Sequence, residues 1–267
     1  MRLVDSHIHP EGLRDCDLET LARFGVEQVL VCAHDGAVPR RADGAASDWM
    51  AHFDALLSTQ AARIRRHGLR PLFALGISPA AAPWHGLEEL LHRLPAYLSH
   101  PAVVGIGSLG LQNRDAREQF VLRRQLELAV SLRRPVIVSA PTRPAVPGMR
   151  TLIDWLRDSG IDPGRVLIEN ATPRGIALAD ECGYAVALEA SRGRLSARAI
   201  LGMIQARGAR RFVLTSHAGE GAADLLAVPS LVASLIDGGL SDAIVSRVGW
   251  ENALRFLGRM EPARRAG

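Results

Sequence analysis

"VDSHIHP", residues 4–10, sets the reading of the whole chain. His7 and His9 stand one residue apart, with Asp5 two residues ahead of His7. If residues 2–9 form a β-strand, side chains alternate between its faces, so Asp5, His7 and His9 share one face. Two imidazoles on one face at a strand end can begin a metal site. They can equally be hydrogen-bonded histidines in a polar pocket.

Working outward, seven further short apolar runs follow: "VEQVLVCAH", "LRPLFALGIS", "AVVGIGSLG", "RPVIVSAP", "RVLIENA", "GYAVALEA" and "RFVLTSH". They are rich in Val, Ile and Leu, as strands buried on both faces require. Stretches with helical spacing lie between runs, among them "DLETLARFG", "DWMAHFDALLSTQAARIRRHG", "AREQFVLRRQLELAVSLRR", "GMRTLIDWLRDSG" and "SARAILGMIQARG". Several close on a glycine, a common helix C-terminal signal. Eight β-then-α units in 267 residues predict a (β/α)8 TIM barrel. A doubly wound sheet is the rival, but the glycine-rich phosphate turn expected after its first strand is missing. The expectation is one domain over residues 1–267, with "MEPARRAG" at 260–267 as a frayed tail.

Composition narrows the chemistry. All 32 basic residues are arginine, which removes Schiff-base lysines, phosphate-loop lysines and carboxylated lysines bridging two metals. The net charge is a mild +4. Pairs such as Arg40–Arg41, Arg65–Arg66 and Arg210–Arg211 read as spread over helix faces, so nucleic acid is not the expected partner. No apolar run approaches the ~18 residues of a membrane span. The chain enters a strand pattern at once, and Cys16, Cys32 and Cys182 form no CxxC. A cytoplasmic location with reduced thiols is the expectation.

Barrel sites form where strands end, on the C-terminal face. The polar residues there are His7, His9, His34 with Asp35, Ser78, Ser108, Ser139, Asn170, Glu189 and His217. Glu189 reads as an exposed loop carboxylate. His52, His67, His85, His92 and His100 fall in helical or loop stretches and read as surface residues. If Asn170 is taken as the inward residue at its strand end, alternation turns Glu169 outward, away from the mouth. Arg143, just past the fifth run, could hold an anionic group.

These stretches, in this order, resemble the TatD-like branch of the metal-dependent hydrolases, closest to its archaeal-type members. The likeness runs from "VDSHIHP" through "VCAHD", "ALGISP", "VVGIGSLGL", "QLELA" and "PVIVSAPTR" to "RFVLTSHAG", "LAVP" and "ENALRFLG". The resemblance implies a TIM barrel whose mouth holds two divalent metals. A histidine pair after strand one binds the first metal, and a strand-four glutamate bridges both. Histidines after strands five and six bind the second. A strand-eight aspartate binds the first metal and assists the attacking water.

Carried over position by position, the pair survives as His7 and His9. Ser108 stands for the bridging glutamate, Ser139 and Asn170 for the two histidines, and His217 for the aspartate. Ser78 replaces a further family histidine in "ALGIHP". Hydroxyl and amide groups are poor ligands for divalent metals, so the second site is expected to be absent. Strands one and eight are neighbours in a closed barrel, which lets His217 approach the pair. The expectation is one divalent metal at most, zinc first, on His7, His9 and His217, with His217 also catalytic. Asp5, His34 and Arg143 would lie around it. The implied activity is hydrolysis of a phosphodiester or other ester or amide, on a small-molecule or phosphodiester substrate. The alternative is a catalytically silent barrel that binds a ligand or partner without turnover.

Overall fold

In a computed structural model that describes residues 1–34, 36, 45–189 and 195–259, the eight runs become eight strands. They are β1 (Leu3–Ile8), β2 (Val26–Cys32), β3 (Arg70–Ala74), β4 (Val103–Gly110), β5 (Val136–Ser139), β6 (Val166–Glu169), β7 (Ala185–Leu188) and β8 (Phe212–Leu214). Neighbours in sequence pair in parallel from β1 to β8, with helices between them. The sheet closes at the top of β1. His9 N–H donates to the Ala218 carbonyl (2.8 Å) and His217 N–H to the His7 carbonyl (3.0 Å). The fold is therefore the (β/α)8 TIM barrel. The 260–267 tail and Asp35 lie outside the described residues.

Two apolar cores follow from alternation along the strands. One fills the barrel: Val4, Leu30, Cys32, Ala74, Val104, Ile137, Leu167, Ala187 and Val213, closed below by Leu254 and Leu257. The other lies between sheet and helices and holds the opposite residues, such as Val29, Val31, Val136, Val138, Val166 and Ile168. Among the described residues no helix is long and apolar enough to cross a membrane.

Polar anchors then fix the loops above the barrel. Gln125 grips Ile77, accepting from its N–H and donating to its carbonyl, both at 2.8 Å, and so holds the segment carrying Ser78. The Glu118 carboxylate accepts from the backbone N–H groups of Gln112, Asn113 and Arg114. That pins the turn before the helix Ala116–Ser131, which Asp115 caps through the Glu118 N–H at 2.8 Å.

The arginines are less scattered than their sequence spacing suggests. At the barrel's lower end Arg133, Arg134, Arg165, Arg255 and Arg259 line one cleft. Arg210, Arg211, Arg247 and Arg255 line its neighbour. Segments that precede β5, β6 and β8 meet residues 247–259 there, which pairwise spacing in sequence does not reveal.

Candidate metal centre

The cavity at the C-terminal mouth is ≈ 400 Å³ and is lined by His7, His9, His34, Ser78, Ser108, Ser139, Arg143, Glu169, Asn170, His217 and Glu220. Three histidines form its β1–β8 side. His7, His9 and His217 are all buried, and one ring nitrogen from each lies within 4.8 Å of the others. The rings of His7 and His9 are centred 4.5 Å apart, and those of His7 and His217 4.3 Å apart. The barrel-closing hydrogen bonds set this spacing, because they clamp both chain segments at these residues.

Asp5 does not share the mouth with His7 and His9. Pairing of β1 with β2 shifts between Asp5 and Ile8, so strict alternation fails there. The Asp5 carboxylate instead accepts from the backbone N–H groups of His7 (3.3 Å) and Ser216 (3.0 Å) and from the Ser216 hydroxyl. It ties β1 to the segment leading into His217. Burial pushes its pKa up to about 6 against the lowering effect of these donors.

The β4–β6 side holds a residue that the sequence reading turned the wrong way. Glu169 is 1% exposed and points into the mouth. Leu167 belongs to the barrel interior, so Glu169, two residues on, shares its face. Asn170 reaches the cavity as well, because its φ of 59° turns the chain out of strand geometry. Glu169 Oε2 lies 2.6 Å from His7 Nδ1. Its Oε1 accepts from the hydroxyls of Ser108 (2.5 Å) and Ser139 (2.8 Å). The two serines at lost ligand positions therefore hold a carboxylate brought in from β6.

The electrostatics agree with this wiring. Burial pulls His7 down to about 4, outweighing the opposite pull of Glu169. Burial works to raise the Glu169 pKa, yet the His7 charge and hydrogen bond, with His217 and Ser108, hold it below the carboxylate range. At neutral pH the pair is a carboxylate accepting from Nδ1–H of a neutral imidazole. That tautomer leaves the His7 Nε2 lone pair free to bind a cation. For His217, burial disfavours the charged form, but contact with Glu220 and the charges of Glu169 and Glu189 raise its pKa.

The other expected residues fall as follows. Ser78, Ser108, Ser139, Asn170 and Arg143 all line the cavity, Arg143 on its exposed rim. His34 packs edge-on against His9 with ring centres 4.1 Å apart. Glu189 is buried rather than an exposed loop carboxylate, because it follows the interior Ala187 by two residues. His52 is also buried, 6.2 Å from the His34 ring and 3.7 Å from Glu11, since its helix turns that face inward. His85 and His92 are exposed, and His67 and His100 half-buried. Glu220 was missed altogether, and its one signal is its position three residues after His217.

The histidine cluster fits a metal ion. His7 Nε2, His9 Nδ1 and both ring nitrogens of His217 are buried without a hydrogen-bond partner. Buried polar atoms are rarely left so, and an ion would take up one nitrogen from each ring.

A TIM barrel with convergent histidines at its upper mouth is the architecture of metal-dependent hydrolases, and the comparisons are specific. The family model for TatD related DNase matches residues 4–167, more than half the chain. An uncharacterized metal-dependent hydrolase of Methanocaldococcus jannaschii is 26% identical over 254 residues, covering 95% of this chain and 99% of that protein. The crystal structure of a TatD-like protein from Archaeoglobus fulgidus superimposes with a TM-score of 0.79 at 25% identity, covering 96% and 99% of the two chains. A phosphotriesterase homology protein from Escherichia coli, complexed with phosphate in its active site, shares the fold at a TM-score of 0.67 and 14% identity, over 96% and 98%. This chain belongs to the TatD-related family of metal-dependent hydrolases.

Proposed function

We propose that the protein is a hydrolase with a reduced, single-metal site, acting on an anionic ester such as a phosphodiester, or on an ester or amide of similar size. One observation carries this reading: three buried histidines, each with an orphaned ring nitrogen, converge beside a carboxylate that locks one of them in the ligating tautomer. His7, His9 and His217 would hold one divalent ion, zinc first among the candidates. Bound there, the ion would polarise the substrate and lower the pKa of a water toward 7.

The chain's own residues supply the rest. Glu169 keeps the His7 ring oriented, and Ser108 and Ser139 keep Glu169 from turning away. Arg143 offers a guanidinium on the cavity wall, near Thr142 and Gln112, where an anionic group can dock. The second family metal has no site in this reading, because Ser108 and Ser139 are committed to Glu169.

Elemental analysis of tag-free protein loaded with zinc or manganese tests the reading. A ratio near one per chain is expected, together with metal-dependent hydrolysis of a generic phosphodiester that His7→Ala abolishes. A ratio near two would refute the single site. One bound ion with no turnover on phosphodiesters, esters or amides would favour the silent, ligand-binding barrel.

A further inference from the structure

Glu220 stands at the mouth of the histidine cluster, on the turn after β8. Its Oε2 lies 3.6 Å from His9 Nε2 and 3.5 Å from His217 Nδ1. Both distances exceed a good hydrogen bond. They match something else. Donors bound at about 2.0–2.1 Å around one tetrahedral ion sit about 3.3–3.4 Å from each other. One carboxylate oxygen stands at this spacing from the orphaned His217 Nδ1 and from His9 Nε2, so His9 would ligate through Nε2 beside it. Among the described residues the mutual spacing of one ion's ligands is met by His7, His9 and His217, and Glu220 joins them by swinging its side chain inward.

The backbone holds it there. Glu220 N–H donates to the His217 carbonyl at 3.0 Å, closing a tight turn. Gly219, at φ +93°, packs so closely on the residue after β1 that an added Cβ would fall 1.9 Å from the His9 carbonyl oxygen. Gly12 meets the Gly219 carbonyl oxygen just as closely. Two glycines thus press the turn against the His9 segment and leave the Glu220 side chain over the cluster. That side chain is 61% exposed, so it can reach inward or withdraw without disturbing the core.

Charge points the same way. Three neutral imidazoles leave a divalent ion with both its charges uncompensated. Glu169 offsets one of them only through His7, whereas Glu220 can touch the ion directly. We infer that Glu220 is a metal ligand, completing a three-histidine, one-carboxylate set whose remaining position is left for an exchangeable water. The inference rests on the single-metal reading above and adds a residue to it.

The test uses the tag-free full chain with zinc or cobalt(II) as the only probe. Chelator competition gives the zinc affinity, and the visible absorption of bound cobalt reports its coordination. Glu220→Gln and Glu220→Ala should each weaken zinc binding by at least about tenfold and change the cobalt spectrum. An unchanged spectrum in both variants would overturn the proposal even if affinity fell, because a charge acting from a distance weakens binding without altering the ligand set. If the parent binds neither metal, the single-metal reading falls and this inference with it. If the parent binds one ion and the variants keep its spectrum, only Glu220 is excluded.

Discussion

The two sides of the cavity solve the same problem in opposite ways. On the β4–β6 side Glu169, Ser108 and Ser139 satisfy one another, with Asn170 Oδ1 as the leftover atom. On the β1–β8 side four ring nitrogens of buried histidines have no hydrogen-bond partner. A satisfied buried network is complete as it stands, and an orphaned one is incomplete until something binds. The difference teaches where an ion belongs, and His7 is the hinge because it faces both sides.

The sharpest way to break this contrast is to empty the satisfied side. Glu169→Ala strands the His7 Nδ1–H and two serine hydroxyls in a buried space. Each buried donor left without its acceptor costs about 1–3 kcal/mol, and three are left here. Urea unfolding of the metal-free protein should show a loss of that order, with a much smaller loss for Glu169→Gln. Equal stability in Glu169→Ala would mean that the network is not holding the mouth together.

Acid should undo the two sides differently. His7 is depressed to about 4 in the folded protein, from 6.5. A depressed pKa means the unfolded chain binds the proton first. The stability tied to neutral His7 is therefore full above 6.5 and is lost as pH falls through about 4. The amount is roughly 3 kcal/mol. His217 runs the other way: its raised pKa contributes stability that is full below 6.5 and fades as pH rises past its folded value. Comparing metal-free parent with His7→Gln isolates the first effect. The stability gap between them should narrow between pH 6.5 and about 4. A constant gap would show that His7 is not held neutral.

On the orphaned side, His217→Ala should lower metal affinity by about a hundredfold or more. Because its pKa is raised, the proton competes first at His217, and parent affinity should begin to fall above the ordinary imidazole value of 6.5. Chelator competition across pH measures both. Unchanged binding in His217→Ala would eliminate the three-histidine site.

Much of this was legible in sequence. Eight apolar runs with helices between them gave the barrel, and "VDSHIHP" with "LTSHAG" gave the histidine cluster. What failed was phase. At β6 the resemblance placed Asn170 inward, and alternation from that assumption turned Glu169 out. The choice of phase needed to know that Leu167 faces the interior, which Val166 and Ile168 flank with equally apolar side chains. The same ambiguity hid the burial of Glu189 behind Ala187. At β1 the register shift near Asp5 broke alternation with no glycine or proline to announce it. Glu220 was invisible for another reason: its place depends on contact between two loops far apart in sequence, at Gly12 and Gly219.

The smallest expected effect probes how the satisfied side shares its work. Ser108 and Ser139 donate to the same Oε1 of Glu169, and their hydroxyl oxygens lie 3.2 Å apart. Removing one hydroxyl leaves the other to hold that oxygen, so Ser108→Ala or Ser139→Ala alone should cost about 1 kcal/mol. Removing both leaves Oε1 without those donors in a buried place, and the double variant should lose more than the sum of the singles. A coupling of about 0.5–1 kcal/mol in a double-mutant cycle is the expected outcome. The orientation of His7 depends on the same carboxylate, so the double variant should also bind zinc more weakly than either single variant. Simple additivity in both stability and zinc affinity would show that the serines act independently, and that the β4–β6 side is a set of separate hydrogen bonds rather than a unit supporting His7.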